Sequence, residues 1–427
     1  MATESVKIHP TQIQKGMYIE LPIPWNKNPF VMRKFKVHFD YQVNIIRDLN
    51  LEYVLYYPSK SDAEPLPASS QAEKPAETET KEDTKAETQE QLKKLEWEKA
   101  ERVEQLKAYR RSLQKTEKEF ENSLKKIKNI MSQMGSRPLN AIGEATALVN
   151  SITDAILGAD NLVLHLMTDA KGGDNMYYHS LNVTVLSLMV AKAAKIGVEE
   201  GYDLGLGSMF HDVGKLKVPK KILLKKEKLN HAELKMLQLH PKYGVHLLTI
   251  TKEFPEKVLP IIEQHHEYLD GTGYPDGLKE EKLSALAQIV AVVNTYDNLC
   301  HPADGSEGTT PSGALSYIFK NMTGKLNKKY VDMLVKLLGV YPPGSVVGLS
   351  DGGIGLVMSV NSKDLLNPQV LLYDPSIPRA EAPAIDLSTT DIKIKKVFKP
   401  SQLKKEAMDY LSPRSQLNYA YYFDEAG

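Results

Sequence analysis

A single cysteine, Cys300, stands in 427 residues. No disulfide can form within the chain, and a reducing cytoplasm is the expected setting. Long hydrophobic runs are missing too: nothing approaches the ~20 apolar residues that cross a bilayer. The opening MATESVKIHP has no basic segment followed by an apolar one, so neither membrane insertion nor export through a signal peptide is expected. Nor is there an excess of one charge sign, with 54 Lys and Arg against 54 Asp and Glu. No global field draws the chain to a nucleic-acid polymer or an anionic lipid surface, so an anionic ligand must be held by local charge or by metal. What remains, 42% apolar and 25% charged residues, is the composition of a soluble globular protein. Its length calls for two or three folded units with connectors.

Residues 1–60 mix strand-like runs (GMYIELPI, YVLYY) with an amphipathic YQVNIIRDLN whose Val43, Ile46 and Leu49 recur at helical spacing, so a small α/β domain is expected. Residues 61–91 are Pro, Ala, Glu, Thr and Lys with almost nothing to bury, the signature of a disordered linker. Residues 92–137 have no Gly or Pro before Gly135 and should form one long helix. Its apolar Val103, Leu106, Leu113, Phe120, Leu124, Ile127, Met131 and Met134 fall at steps of three and four, interrupted by Arg110 and Glu117. Two arrangements fit that seam: a homodimeric coiled coil, and an antiparallel return onto the neighbouring domain. Residues 138–340 are apolar-periodic helix broken by loops at DAKGGDN, KVPKK and DGTGYPDG, which predicts an all-α core domain. Residues 341–427 hold β-rich runs around the turn SDGG, which predicts a small β appendage; the late IKIKKVFKPSQLKKEAMDY reads as a solvated face.

Within the helical domain, FHDVGKLKVP ends an apolar run in adjacent His211 and Asp212. Four more histidines stand in comparable settings: His179 in YYHSLNV, His240 in LHPKYG, and the pair His265 and His266 in EQHHEYLDGTGYP. Asp297 closes the apolar IVAVVNTYDNL, where a carboxylate is costly to bury. Any one of these histidines alone is more often a satisfied core residue than a ligand. Together, five imidazoles and two carboxylates form a nitrogen and oxygen set suited to two divalent ions. Neighbours on a helix point about 100° apart, so each adjacent pair serves one centre only where its helix ends or where the ions lie between the two directions. Asp212 is the candidate bridge between ions, Lys215 a candidate cation against a phosphate oxygen, and hydrolysis of a phosphoester the expected reaction. Histidine-rich ligation argues for iron or manganese over magnesium.

In this order HDVGK, HPKYG and HHEYLDGTGYP resemble the motifs of the HD-GYP branch of the HD metal-dependent phosphohydrolases, over roughly residues 140–340. The first 60 residues, with QKGMYIELPIPWNKNPF, resemble an uncharacterised domain that often precedes HD-GYP domains. The resemblance implies an all-α HD-type domain and a phosphodiesterase of bacterial cyclic dinucleotides, above all cyclic di-GMP, cut to a linear dinucleotide or on to GMP. It implies His179, His211, Asp212 and Asp297 as ligands of one metal, and Asp212, His240, His265 and His266 as ligands of the other. Lys215 matches the substrate-phosphate lysine; Gly273, Tyr274 and Pro275 match the tripeptide that names the branch and, with Asp270, are expected at the substrate. A diguanylate cyclase is a further implied partner.

Two departures stand out. Asn175 occupies the place where three-metal members carry a glutamate, which favours two ions. After Asp297 the chain reads NLCHPADGSEGTTPS, without the arginines of an Arg-Pro-Tyr-Arg-like segment. Hybrid cyclic GMP-AMP as substrate, and a non-catalytic cyclic-dinucleotide receptor, are the rivals this leaves open; a nucleotide phosphomonoesterase fits the Gly-Tyr-Pro string poorly. The loop DGTGYPDG is also an ordinary set of turn formers, expected to shape the mouth of the site. His9, His38, His165, His231, His246 and His301 are expected to be structural or at the surface.

Overall fold

Alternation of apolar and polar residues near the N-terminus gives four short strands, β1 (Val6–Ile8), β2 (Tyr18–Glu20), β3 (Lys34–Lys36) and β4 (Val54–Tyr56). They form an antiparallel sheet in the order β1-β4-β2-β3. Helix α1 (Asp40–Asp48) lays Val43, Ile45 and Ile46 on a core with Ile13, Met17, Ile19 and Leu21. This is the expected α/β domain. The computed structural model describes residues 5–24, 27–30, 32–67, 81–158, 162–167, 175–302, 306, 308–361, 363–379, 382–411 and 418–423.

Helix α2 (Lys81–Gln133) runs for 53 residues. It starts inside the stretch expected to be a linker, because KEDTKAETQEQ after the last proline is built from good helix formers that propagate a helix already nucleated downstream. Residues 68–80 of that linker lie outside the described residues. The chain divides into two compact units, Met1–Tyr109 with Asp374–Ala384, and Arg110–Tyr373 with Ile385–Gly427. In the first, Leu92 and Leu95 pack on the sheet-and-helix core. In the second, Phe120, Ile127, Met131 and Met134 are buried and Leu124 is partly buried in the helical core. The second half of the apolar seam is therefore occupied within the chain itself, as in the antiparallel-return reading.

That helical core is built from α3 (Pro138–Gly158), α4 (Asn175–Ala193), α5 (Val198–Phe210), α6 (Lys220–Leu223), α7 (His231–Gln238), α8 (His240–Thr249), α9 (Leu259–Gln264), α10 (Ala285–Cys300), α11 (Pro311–Asn321) and α12 (Lys328–Leu338). One strand interrupts the stretch expected to be wholly helical: β5 (Leu162–Met167). LVLHLM is too short an apolar run to fix a helix, and its partner lies far away in sequence, at the C-terminal NYAYYF. From Ser180 to Ala191, α4 is buried on every side, and α10 buries ten of its residues. Helices apolar all round belong at the centre of a bundle, and these two carry candidate ligands into it.

The remainder is β-rich as expected. Strands β6 (Val346–Leu349), β7 (Ile354–Ser359), β8 (Gln369–Leu372), β9 (Ala384–Asp386) and β10 (Ile394–Phe398) form a sheet in the order β10-β6-β7-β8-β9. Gly352, at φ +92°, supplies the left-handed residue that the SDGG turn between β6 and β7 needs. The basic stretch expected as a solvated face forms β10 and α13 (Lys405–Leu411), and β11 (Asn418–Phe423) pairs antiparallel with β5. Among the described residues no helix is long and apolar enough to cross a membrane.

Ile127 of α2 is fully buried. Ile127→Ala is therefore expected to lower unfolding stability by about 2–5 kcal/mol, read from urea denaturation. A loss below about 0.5 kcal/mol, the range of surface substitutions, would contradict the burial of this half of α2.

Candidate metal centre

All seven expected ligands belong to the helical unit, and both adjacent pairs occur where a helix stops. His211 is the residue after α5, and Asp212 begins a 3₁₀ turn, Val213–Lys217. His265 is the residue after α9, with His266 next to it. The turn after Asp212 lies so close to α8 that a Cβ at Gly214 would overlap the backbone carbonyl of His240. Glycine in HDVG thus lets two ligand-bearing segments meet.

The side chains converge on Asp212. Its Oδ2 lies 3.6 Å from His179 Nε2 and 3.5 Å from His211 Nε2, while its Oδ1 lies 3.1 Å from His240 Nε2 and 3.8 Å from His265 Nε2. Two groups result: His179, His211 and Asp212; and Asp212, His240, His265 and His266. Within each group the ligand atoms lie within 4.8 Å of one another. Asp212 is the member common to both, the placement expected of a bridge.

Tautomers follow from the other ring nitrogens. Nδ1 of His211, His240 and His265 meets the carbonyl oxygens of Ser208, Leu237 and Ile262 at 2.6, 2.7 and 2.7 Å. Nδ1 of His179 meets Asp297 Oδ2 at 2.7 Å. Those oxygens accept, so each Nδ1 carries the hydrogen and each neutral Nε2 keeps its lone pair. Nε2 of His179 then faces Nε2 of His211 at 3.1 Å, and Nε2 of His240 faces Nε2 of His265 at 3.2 Å. Asp212 Oδ1 is buried without a hydrogen-bond donor, since the nearest nitrogen presents a lone pair. Lone pairs pointed at one another from the interior are what a divalent cation satisfies, and these donors fit one.

Protonation is not the alternative at neutral pH. Burial pulls His211 down to about 4 and holds His265 well below the usual imidazole range. Burial alone would raise Asp212, but the Lys215 ammonium, 2.5 Å from Oδ2, together with His211 and His240, outweighs it and keeps the carboxylate ionised.

Asp297 lies one step behind the ligand atoms. Its Oδ2 accepts from His179, and its Oδ1 accepts from Asn182 Nδ2 at 2.9 Å and lies 3.1 Å from His301 Nδ1. His301, expected to be structural or at the surface, packs here: burial would lower its pKa, but the Asp297 charge raises it. The i, i+4 spacing of Asp297 and His301 at a helix end was the available signal. Glu267 was passed over. Buried, it accepts from the backbone N–H groups of Asp276, Gly277 and Leu278 at 2.7, 3.0 and 3.0 Å, and so ties the DGTGYPDG loop down.

Within that loop Tyr274 stacks on His266, with centroids 4.4 Å apart, and a Cβ at Gly273 would come 2.5 Å from Glu267 Cα. Asp270 Oδ1 accepts from the backbone and hydroxyl of Thr272, the turn-acid role. A cavity of about 760 Å³ opens over His179, Asp212, Lys215 and Asp297, but none of Asp270, Gly273, Tyr274 or Pro275 lines it. Tyr274 braces the His266 ring from this loop.

Comparisons with known proteins follow this geometry. Residues 161–328 match the HD domain and residues 5–145 a domain of unknown function, DUF3391. A cyclic di-GMP phosphodiesterase of Pseudomonas aeruginosa is 31% identical over 229 residues, 54% of this chain and 55% of the relative. A cyclic di-GMP phosphodiesterase response regulator of Xanthomonas campestris is 33% identical over 35% of this chain and 39% of its own. A 3′3′-cGAMP-specific phosphodiesterase of Vibrio cholerae is 30% identical over 38% of this chain and 35% of its own. The chain thus spans about a third to a half of these relatives. Among solved structures, an HDGYP protein from Bdellovibrio bacteriovorus aligns with a TM-score of 0.44 at 18% identity, across 78% of this chain and 99% of that one.

Because His211 and His265 are depressed on folding, the unfolded chain binds protons that the folded one refuses between the ordinary value of 6.5 and about 4. Metal-free protein should lose stability as pH falls through that window, seen as a lower urea midpoint at pH 5 than at pH 7.5. Equal midpoints would mean that the cluster is not held neutral. Separately, Gly214→Ala should fold less stably and lose metal, measured by melting and elemental analysis; normal values for both would contradict the close packing on His240.

Proposed function

We propose, from the match of residues 161–328 to the HD domain and of residues 5–145 to DUF3391, a metal-dependent phosphodiesterase that opens a cyclic dinucleotide, cyclic di-GMP first. The observation that carries the reading is the Asp212 carboxylate, with one oxygen toward each of two imidazole groups. His179, His211 and Asp212 would hold one ion, with Asp297 beside them, and Asp212, His240, His265 and His266 the other. Nitrogen-rich donors favour iron or manganese. When bound, two such ions lower the pKa of a water and stabilise charge on phosphoryl oxygens.

The chain's own groups set up the rest. Asp212 stays ionised at neutral pH and so keeps its bridging charge. Lys215 points its ammonium into the cavity beside Asp212, placed to meet a non-bridging phosphate oxygen. Asp297 fixes the ring of His179, and the three carbonyls fix those of His211, His240 and His265, so the donors need no rearrangement. Tyr274 and Glu267 brace His266 and its loop. The product expected is the linear dinucleotide.

Hybrid cyclic GMP-AMP is the second reading, supported by the 30% identity to the Vibrio cholerae enzyme specific for it and by the absence of arginine from NLCHPADGSEGTTPS, directly after Asp297. Anaerobically purified protein loaded with iron or manganese and offered each dinucleotide should yield linear product on chromatography. His211→Ala and Asp212→Ala should each lose bound metal and at least about 100-fold in turnover. Unchanged metal content in both variants would contradict the assignment, and tight binding without product would favour a receptor.

A further inference from the structure

The cavity over the metal centre has a second wall that none of the roles above uses. After Val218 the chain passes through α6 into LLKKEKL, residues 223–229, and every residue of that run lines the same cavity as His179, Asp212 and Asp297. Five lysines and one glutamate lie between Lys220 and Lys228. Lys225 is neutralised by Glu233 at 2.6 Å, a contact that also anchors the run to α7. Lys226 and Lys228 have no carboxylate partner among the described residues, and both face the cavity. Leu224, 76% exposed on the same lip, offers an apolar surface. A site with acidic ligands on its floor and two unpaired ammonium groups on its rim suits a ligand with a second negative charge away from the reacting one.

A cyclic dinucleotide has that pattern: two phosphodiesters in one ring, of which only one is cut at a time. If one sits at Asp212 and Lys215, the other must be neutralised within the same cavity, and the segment NLCHPADGSEGTTPS directly after Asp297 holds no arginine to do it. We propose that Lys226 and Lys228 bind the non-reacting phosphate, with Leu224 against the adjoining base, so that the 223–229 run sets selectivity for two-phosphate substrates. The proposal rests on the phosphodiesterase reading and deepens it. It divides labour by position, with Lys215 at the phosphate that reacts and the rim lysines at the one that does not.

The test is K226A/K228A beside K226R/K228R, with cyclic di-GMP and with bis(p-nitrophenyl) phosphate, a diester that has one phosphate only. Loss of two charge-assisted contacts is expected to raise both KM and the dissociation constant for cyclic di-GMP at least about tenfold. Its kcat should stay within about twofold, the loss should be confined to the dinucleotide, and arginine should restore binding. An unchanged dissociation constant would overturn the proposal. So would an equal loss with both substrates, which would mean a structural role. Wild-type protein that binds cyclic di-GMP without cutting it would refute hydrolysis, while the dissociation constants of the variants would still decide the lysines.

Discussion

Four imidazoles turn their N–H groups outward and their lone pairs inward around one carboxylate, and the helical unit is arranged about that constraint. Each buried acceptor left unpaired costs about 1–3 kcal/mol, so such a cluster is stable only if something positive completes it. Protons do not do so for His211 and His265 at neutral pH, because burial disfavours charge on those rings. A divalent cation can, and the same arrangement that demands it also positions it.

The local device is simple. His211, His240 and His265 each come one or two residues after a helix ends, and each uses Nδ1–H to bond a carbonyl of the last turn, three residues back. Helix ends leave such carbonyls without partners, so one hydrogen bond caps a helix and aims a ligand. Adjacent ligand pairs make sense in these terms, since a chain leaving its helix can send neighbouring side chains to a common point. Gly214 and Gly273 lie where backbone segments approach too closely for a side chain, and the fully buried α4 and α10 bring His179 and Asp297 in from the other side.

Much of this was legible in the sequence because the ligands are chemically unusual: histidines and aspartates at the ends of apolar runs stand out against a core that otherwise excludes them. The N-terminal α/β unit, the helical core and the β-rich C-terminal part were legible for the same reason, their apolar periodicities being distinct. The start of α2 was not, because Ala, Glu and Lys serve a disordered linker and a solvated helix equally well. Nor was β5, whose partner lies near the C-terminus and leaves no local trace. Glu267 was missed because its role depends on what it faces, three backbone amides. The division of the two phosphates between Lys215 and the rim lysines has the same origin: LLKKEKL looks like solvated charge until it is seen lining a cavity.

Imidazole NMR on the histidine-labelled, metal-free protein, followed as a diamagnetic divalent ion such as zinc is added, tests the central claim most directly. The account predicts Nδ1–H tautomers for His179, His211, His240 and His265 before addition, with the Nε2 resonances alone moving into the range of metal-bound nitrogen afterwards. Nε2–H tautomers at the start, or Nε2 signals indifferent to the ion, would contradict it.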